Sequence, residues 1–154
     1  MTIASRIRTY LTREHVSYDE LPHARAMSAL STAQAAQVKE DALAKGVVLR
    51  TKDRFMLAVL PASHHIRMTA LRRYLGEEVG LATEEEIHSL FGDCDIGAIP
   101  PIGDAYGMET IVDDALLGAD HVYLEGGDHR TLIHLGAEEW TRLTKRMPHA
   151  AFSA

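Results

Sequence analysis

Residues 43–61 read LAKGVVLRTKDRFMLAVLP, two apolar runs (GVVLR, 46–50, and RFMLAVLP, 54–61) that meet at Thr51, Lys52 and Asp53. β-Branched and aromatic side chains on either side of a short polar link are the pattern of a β-hairpin. The runs are nearly continuous in apolar residues instead of alternating, which predicts strands buried on both faces. Lys45 opens the first of them, where a charge resists desolvation. Either it snorkels to the rim or it sits in a pocket to meet an anion or a carbonyl.

Upstream of the hairpin, Ile3, Ile7 and Leu11 recur at helical spacing and predict an amphipathic first helix. Arg6, Arg8 and Arg13 give the same stretch the look of a mitochondrial presequence, but the helix is the simpler reading, and no secretory apolar core precedes it. Ser17 to Leu21 reads as a short strand stopped by Pro22, and Ser31 or Thr32 as the cap of a helix through Ala33, Ala35, Ala36 and Val38. Downstream, Met68, Leu71 and Leu75 mark a helix ending at Gly76, and Val79 to Ala82 a short strand. Thr83 with Glu86 three residues on forms a capping box for TEEEIHSLFG. Residues 92–109 are irregular and dense in Gly and Pro, as functional loops often are. Thr110–Val112, His121–Leu124 and Thr131–Leu135 read as strands, and Ala137–Arg146 as a closing helix. Strands and helices mix without regular βα alternation, which predicts an α+β domain with a mixed sheet.

The 154 residues are 46% hydrophobic and 25% charged, enough for one domain spanning residues 1–154 with a sizeable core. No apolar run approaches the roughly 20 residues that span a bilayer, so no membrane partner is expected. The single cysteine, Cys94, excludes an internal disulfide and fits a reducing compartment, so the expected location is cytoplasmic. Net charge is −6, unevenly spread: +6 over residues 1–73, −14 over 74–129, where no Lys or Arg occurs, and +2 over 130–154. That balance argues against a DNA-binding protein but allows contact with one end of an RNA. Such contact would fall to Lys39, Lys45, Arg50, Lys52, Arg54, Arg67, Arg72 and Arg73, or to Arg142, Lys145 and Arg146.

Among chemical motifs, nine histidines show no metal-ligand spacing: there is no HExxH, no Cys pair and no two histidines four apart, so no metal or other cofactor is expected. No GxSxG elbow is present. Cys94 lies between Asp93 and Asp95, whose charges would raise its pKa and leave it an unreactive thiol. Asp113 and Asp114 precede ALLG and read as a short helix cap. The loop GAIPPIG (97–103) pairs the freedom of Gly97 and Gly103 with the stiffness of Pro100 and Pro101. It reads either as a rigid turn or as a frame that aims N–H groups at an oxyanion.

Taken together, a strand ending in His23, the Ala-rich helix STAQAA, Ala44-Lys45 leading into VVL, the strand MLAVLPA, the Gly97-x-x-x-Pro101 loop and the Gly126-Gly127 pair before a strand and final helix resemble the YbaK/EbsC family. That family comprises aminoacyl-tRNA deacylases and the editing domain associated with prolyl-tRNA synthetases, and the resemblance covers nearly the whole chain. It implies a compact α+β fold with a mixed, barrel-like sheet flanked by helices. It also implies hydrolysis of the ester joining a wrong amino acid to the 3′ end of a tRNA, with that 3′ end, and in some members a synthetase, as partner. The family's lysine maps onto Lys45 as the catalytic candidate and its GxxxP loop onto Gly97–Pro101. The stretch GDHRTL departs from the glycine-rich or basic versions common elsewhere in the family.

Ester hydrolysis needs a positioned water, an oxyanion stabiliser and a side-chain pocket. Lys45, cationic at neutral pH, suits a phosphate or carbonyl better than the role of base. Amides around Gly97 and Ala98, in the loop that Pro101 and Gly103 shape, are candidates for the carbonyl or the ribose. His23 or His129 is a candidate to orient water, with Gly127 beside it. Asp104 or Asp128 is a candidate acceptor for the substrate ammonium, and Met27 and Ser28 for the pocket border. Two other readings compete: a non-catalytic ligand- or partner-binding module on the same fold, and a small-molecule ester hydrolase. Tight dependence on ionic strength marks tRNA as substrate, since small esters feel salt only slightly.

Overall fold

The computed structural model describes residues 2–154. In chain order the elements are α1 (Ser5–Arg13), β1 (Asp19–Pro22), α2 (Ala29–Ala36), β2 (Leu43–Thr51), β3 (Phe55–Pro61), α3 (Met68–Leu75), β4 (Val79–Leu81), α4 (Glu84–Leu90), β5 (Glu109–Asp113), β6 (His121–Glu125), β7 (Thr131–Gly136), α5 (Ala137–Thr144) and β8 (His149–Ala150). Short 3-10 turns cover Glu40–Ala42, Gly103–Tyr106 and Asp114–Leu116. All eight strands join one mixed sheet in the order β1-β7-β6-β2-β3-β5-β8, with β4 added on β2. The β2–β3 hairpin lies at its centre, antiparallel from Ala44↔Pro61 to Arg50↔Phe55.

One edge of β2 is fully taken by β3. The other is divided: β6 runs parallel to it at Leu43 and Ala44, and β4 antiparallel at Leu49 to Thr51. Between them the sheet is interrupted. Leu43 accepts from the Ala62 N–H at 2.7 Å and Thr51 donates to the Arg54 carbonyl at 2.8 Å, so the odd-numbered residues of β2 direct their peptide groups toward β3. Alternation then turns those of Gly46 outward, into the gap.

Side chains sort onto two faces by the same alternation. Val48, Leu57, Val59, Val112, Val122, Leu124, Ile133 and Leu135 pack with Ile7, Leu11, Ile102 and Trp140, which places α1, α5 and the 97–106 loop on one face. Leu49, Met56, Ala58, Leu60 and Ile111 pack on the other face with Leu71 of α3 and with Phe152. A smaller cluster on that second face, Leu43 and Leu132 with Ala33, seats α2 beside α3's territory. Lys45 and Glu125 share this second face with Leu43, Tyr123 and Leu132.

Local chemistry explains most element ends. Thr83 and Glu86 form the reciprocal capping box that starts α4, and Gly76 closes α3 in a left-handed conformation at φ 69°. Asp113 caps the 3-10 turn 114–116 through the Ala115 N–H. The second helix starts earlier than its sequence suggests: Ser28 is the cap, and Ser31, three residues into the helix, returns its hydroxyl to the Ser28 N–H. β1 is displaced to Asp19–Pro22 and keeps Pro22, which a strand at the sheet edge tolerates. The closing helix ends at Thr144, and β8, too short to show in the sequence, adds to β5 beyond it. No helix among the described residues is long and apolar enough to cross a membrane.

Candidate functional site

The gap in the sheet opens onto a cavity of about 180 Å³, lined by Lys45 and Gly46 of β2, Met27, Ser28 and Thr32 around the start of α2, Gly97 and Ile99 of the long loop, and Glu125, His129 and Leu132. Because β6 and β4 do not meet, groups from both faces reach it. The loop is held close: a Cβ on Gly46 would stand 3.1 Å from Leu57 Cδ1 and 3.4 Å from Pro101 Cα, so glycine there lets the loop lie against β2.

Lys45 is half-buried, its Nζ donating to the Ala62 carbonyl at 3.3 Å. Burial lowers its pKa from the ordinary 10.5. The arrangement combines the two options its sequence context leaves open, since the stem follows the sheet and the ammonium faces the cavity wall. Glu125 lies one place beyond the β2–β6 register, beside Lys45. Its Oε2 accepts the Gly127 and His129 N–H groups at 2.8 and 3.3 Å. Burial raises its pKa above 4.5, while the N–H groups of Gly127 and His129 work in the other direction. No ion pair joins Glu125 to Lys45 among the described residues.

His129 is buried and left-handed at φ 61°, and its Nε2–H donates to the Ile96 carbonyl at 2.6 Å, which leaves Nδ1 as the acceptor nitrogen. Gly97, at φ 82°, lies against the same ring, with an added Cβ only 3.6 Å from His129 Cε1. The Gly97 N–H donates to no other described residue, and the Gly46 N–H faces the stretch of β2 that neither β6 nor β4 pairs. Two main-chain donors therefore border the cavity. Met27 and Ile96, 62% and 68% exposed, form an apolar rim outside it.

The structure brings Lys45, Met27, Ser28, Gly97 and His129 to one cavity and leaves the other sequence candidates outside its lining. His23 gives Nδ1–H to the Ala24 carbonyl at 2.7 Å, and its Nε2 is buried without a partner. Ala98 is buried and its N–H donates to the Asp95 carbonyl at 3.0 Å. Pro101 is buried, its Cα lying against Gly46 of β2. Gly103 is buried, its N–H donating to Thr110 Oγ1 at 3.0 Å. Gly127 packs under Ala4 and Cys94 at φ 121°. Asp128 is buried with both oxygens engaged, accepting the Arg130 and Thr131 N–H groups and the Thr131 hydroxyl. Asp104 accepts the Tyr10 hydroxyl at 3.3 Å on the wall of a separate cavity.

That separate cavity is larger, about 620 Å³, between the ends of α1 and α5. Its walls carry both signs of charge, and Arg142 is already bound to Glu139 and to the carbonyls of Glu14 and His15. The smaller cavity holds two half-buried charges, Lys45 and Glu125, that no ion pair among the described residues engages, and on that ground it is the candidate site. Glu125, Gly46 and Thr32 escape the sequence reading, although Glu125 had a signal: an acid ending the apolar strand HVYLE is as anomalous as a lysine opening LAKGVVL. Cys94 is held protonated, its pKa raised to about 12 by partial burial, against the hydrogen bond with Tyr106, which lowers it, and with a smaller upward push from Asp93. Asp95 pairs instead with Arg25 at 3.5 Å.

Residues 23–143 match the protein family described as an aminoacyl-tRNA editing domain. A solved structure of a proposed trans-editing enzyme for prolyl tRNA synthetase superposes with a TM-score of 0.80 at 26% identity, over 97% of this chain and 95% of that one. A hypothetical protein, APE2540, reaches 0.85 at 20% identity, over 97% of this chain and 100% of its own. In a proposed signal transduction protein from Marinobacter aquaeolei the same fold makes up 30% of the chain, with a TM-score of 0.77 at 18% identity and 97% of this chain covered. These last two bear on the fold alone. A search of curated protein sequences finds no match.

Proposed function

The chain belongs to the aminoacyl-tRNA editing domain family, and from that premise we propose that it is a deacylase, cleaving the ester between a mischarged amino acid and the 3′ end of a tRNA. The observation that carries this reading is Lys45: an ammonium half-buried at a gap in the sheet, anchored by one carbonyl, with unengaged N–H groups of Gly46 and Gly97 lining the same cavity. A fixed cation and two main-chain donors in a small, largely apolar space are what a developing oxyanion needs. Lys45 polarises the ester carbonyl or holds the adjoining phosphate, and the N–H groups receive the charge as the tetrahedral intermediate forms.

His129 Nδ1, the nitrogen left free by the bond to Ile96, orients the attacking water, and the neighbouring ribose hydroxyl of the substrate assists. Water adds to the carbonyl carbon, the ester C–O bond breaks, and the ribose oxygen leaves with a proton. A cavity of about 180 Å³ is below the usual range for drug-sized ligands, about 300 Å³ and upward. It suits an aminoacyl group, with the terminal nucleotide resting outside on the Met27–Ile96 rim. The working location is the cytoplasm, where charged tRNA is used.

The test is deacylation of a panel of mischarged tRNAs, including alanyl- and cysteinyl-tRNA(Pro), by wild type and Lys45→Ala in parallel. Turnover of one member, reduced about 100-fold or more in the variant and falling steeply with added salt, is the expected result. A folded protein that turns over none of a broad panel would sink the deacylase reading and leave a binding module.

A further inference from the structure

Two opposite charges flank the cavity without neutralising each other. Lys45 rests on a carbonyl, and no salt bridge reaches Glu125 from any described residue. The Glu125 carboxylate is itself divided in its duties. Oε2 fixes the 126–129 turn through two N–H groups, while Oε1 makes no hydrogen bond to another described residue. Leu43, Leu132 and Ile99 complete the wall. Glu125 is half-buried and this unbonded oxygen is not sealed from the cavity, so it is open to a cation or donor that enters, and its partial desolvation favours one. The desolvation that raises the Glu125 pKa is the same penalty seen from the proton's side.

We propose that Oε1 of Glu125 receives the α-ammonium of the aminoacyl ester, so that the site selects acyl groups carrying a free α-amine over their α-hydroxy counterparts. The proposal rests on the deacylase reading and adds its substrate class. The other acids are unsuited: Asp128 has both oxygens bonded within its own turn, and Asp104 faces a different cavity. With the ammonium on Glu125 and the ester carbonyl toward Lys45, the dipolar head of the substrate spans the two charges and leaves its side chain against Leu43 and Leu132.

The experiment uses the aminoacyl-tRNA that wild type cleaves and the same tRNA carrying the deaminated α-hydroxyacyl group, with wild type and Glu125→Gln. Glutamine keeps an oxygen for the Gly127 and His129 N–H groups and removes only the charge. The expected result is a wild-type preference for the amine, in kcat/KM corrected for spontaneous hydrolysis, that shrinks about 30-fold in the variant. An unchanged ratio, with both esters slowed alike, would overturn the proposal and make Glu125 a base or a support of the turn. Binding of a non-hydrolysable 3′-aminoacylamido adenosine and its α-hydroxy analogue is measured alongside. If no ester is cleaved but wild type prefers the amine and Glu125→Gln does not, the deacylase reading falls and the ammonium site stands. Absence of that preference removes both.

Discussion

The imidazole of His129 donates from Nε2 to the carbonyl of Ile96 at 2.6 Å, binding the turn after β6 to the loop that carries Gly97. The bond fixes the tautomer, because a nitrogen that donates cannot also accept. It also couples two segments that are far apart in the chain, each of which supplies one wall of the cavity. His129→Ala should therefore lower unfolding free energy by about 1–3 kcal/mol and speed amide exchange at Gly97 to Ile99. An unfolding curve that overlays wild type would show the bond to be incidental.

On the deacylase reading, with Glu125 holding the substrate ammonium, the pH dependence of hydrolysis follows from the two cavity charges. Glu125 must be ionised, and burial places its pKa above 4.5, so activity rises through a pH higher than that of an ordinary glutamate. Lys45 must be protonated, and burial places its pKa below 10.5, so activity declines through a pH lower than that of an exposed lysine. A profile of kcat/KM against pH checks both limbs. Lys45→Arg, whose side chain stays charged, should remove the lysine contribution to the alkaline limb in whatever activity it retains.

Cys94 should resist alkylation in the native protein. Its thiol is half-buried beside Tyr106 and Asp93, and its pKa stands at about 12 against 9.0 for a free thiol. At pH 8 the thiolate fraction is on the order of a thousand-fold lower than in the unfolded chain. Iodoacetamide labelling with and without denaturant reads the difference. The sign for stability follows: between pH 9 and 12 the unfolded chain releases this proton and the native one keeps it, so stability falls as pH rises. Below pH 9 both states hold the proton, and the thiol contributes no slope.

Gly103→Ala should be among the most damaging single-methyl additions. The new Cβ would lie 2.3 Å from Thr110 Oγ1 and 2.9 Å from the Met108 carbonyl oxygen, inside a bond that closes the 97–106 loop onto β5. A loss of about 2–4 kcal/mol is expected from overpacking and the disturbed hydrogen bond. Denaturant unfolding measures it. Thr110→Ala, which removes the side-chain half of the clash, separates the two causes.

Features governed by neighbours in sequence were readable in advance. The hairpin, the Thr83–Glu86 box and the Gly76 stop each depend on a few adjacent residues, and each stands where local chemistry put it. The sequence points to Ser31 or Thr32 as the α2 cap, three or four residues past Ser28, because Ser31 fills the role usually taken by Glu or Gln and a serine pair hides the box. The cavity was less readable. Lys45 declared itself by breaking an apolar run. Glu125 was lost among the acids of residues 74–129, since composition does not distinguish a solvated carboxylate from one facing a gap. That gap comes from a pairing of residues 43–44 with 123–124, which no local pattern encodes.

The divided edge of β2 also has a kinetic meaning. β3 reaches β2 through a three-residue link, whereas β6 comes from residues 121–125, with residues 52–120 between it and the end of β2. Closing so long a loop is entropically slow compared with zipping the hairpin. The cavity has no outer wall until that closure is made, so, on the deacylase reading, recovery of aminoacyl-ester hydrolysis on refolding should lag behind recovery of far-ultraviolet circular dichroism. A newly made chain would then carry its hairpin before it carries a closed cavity.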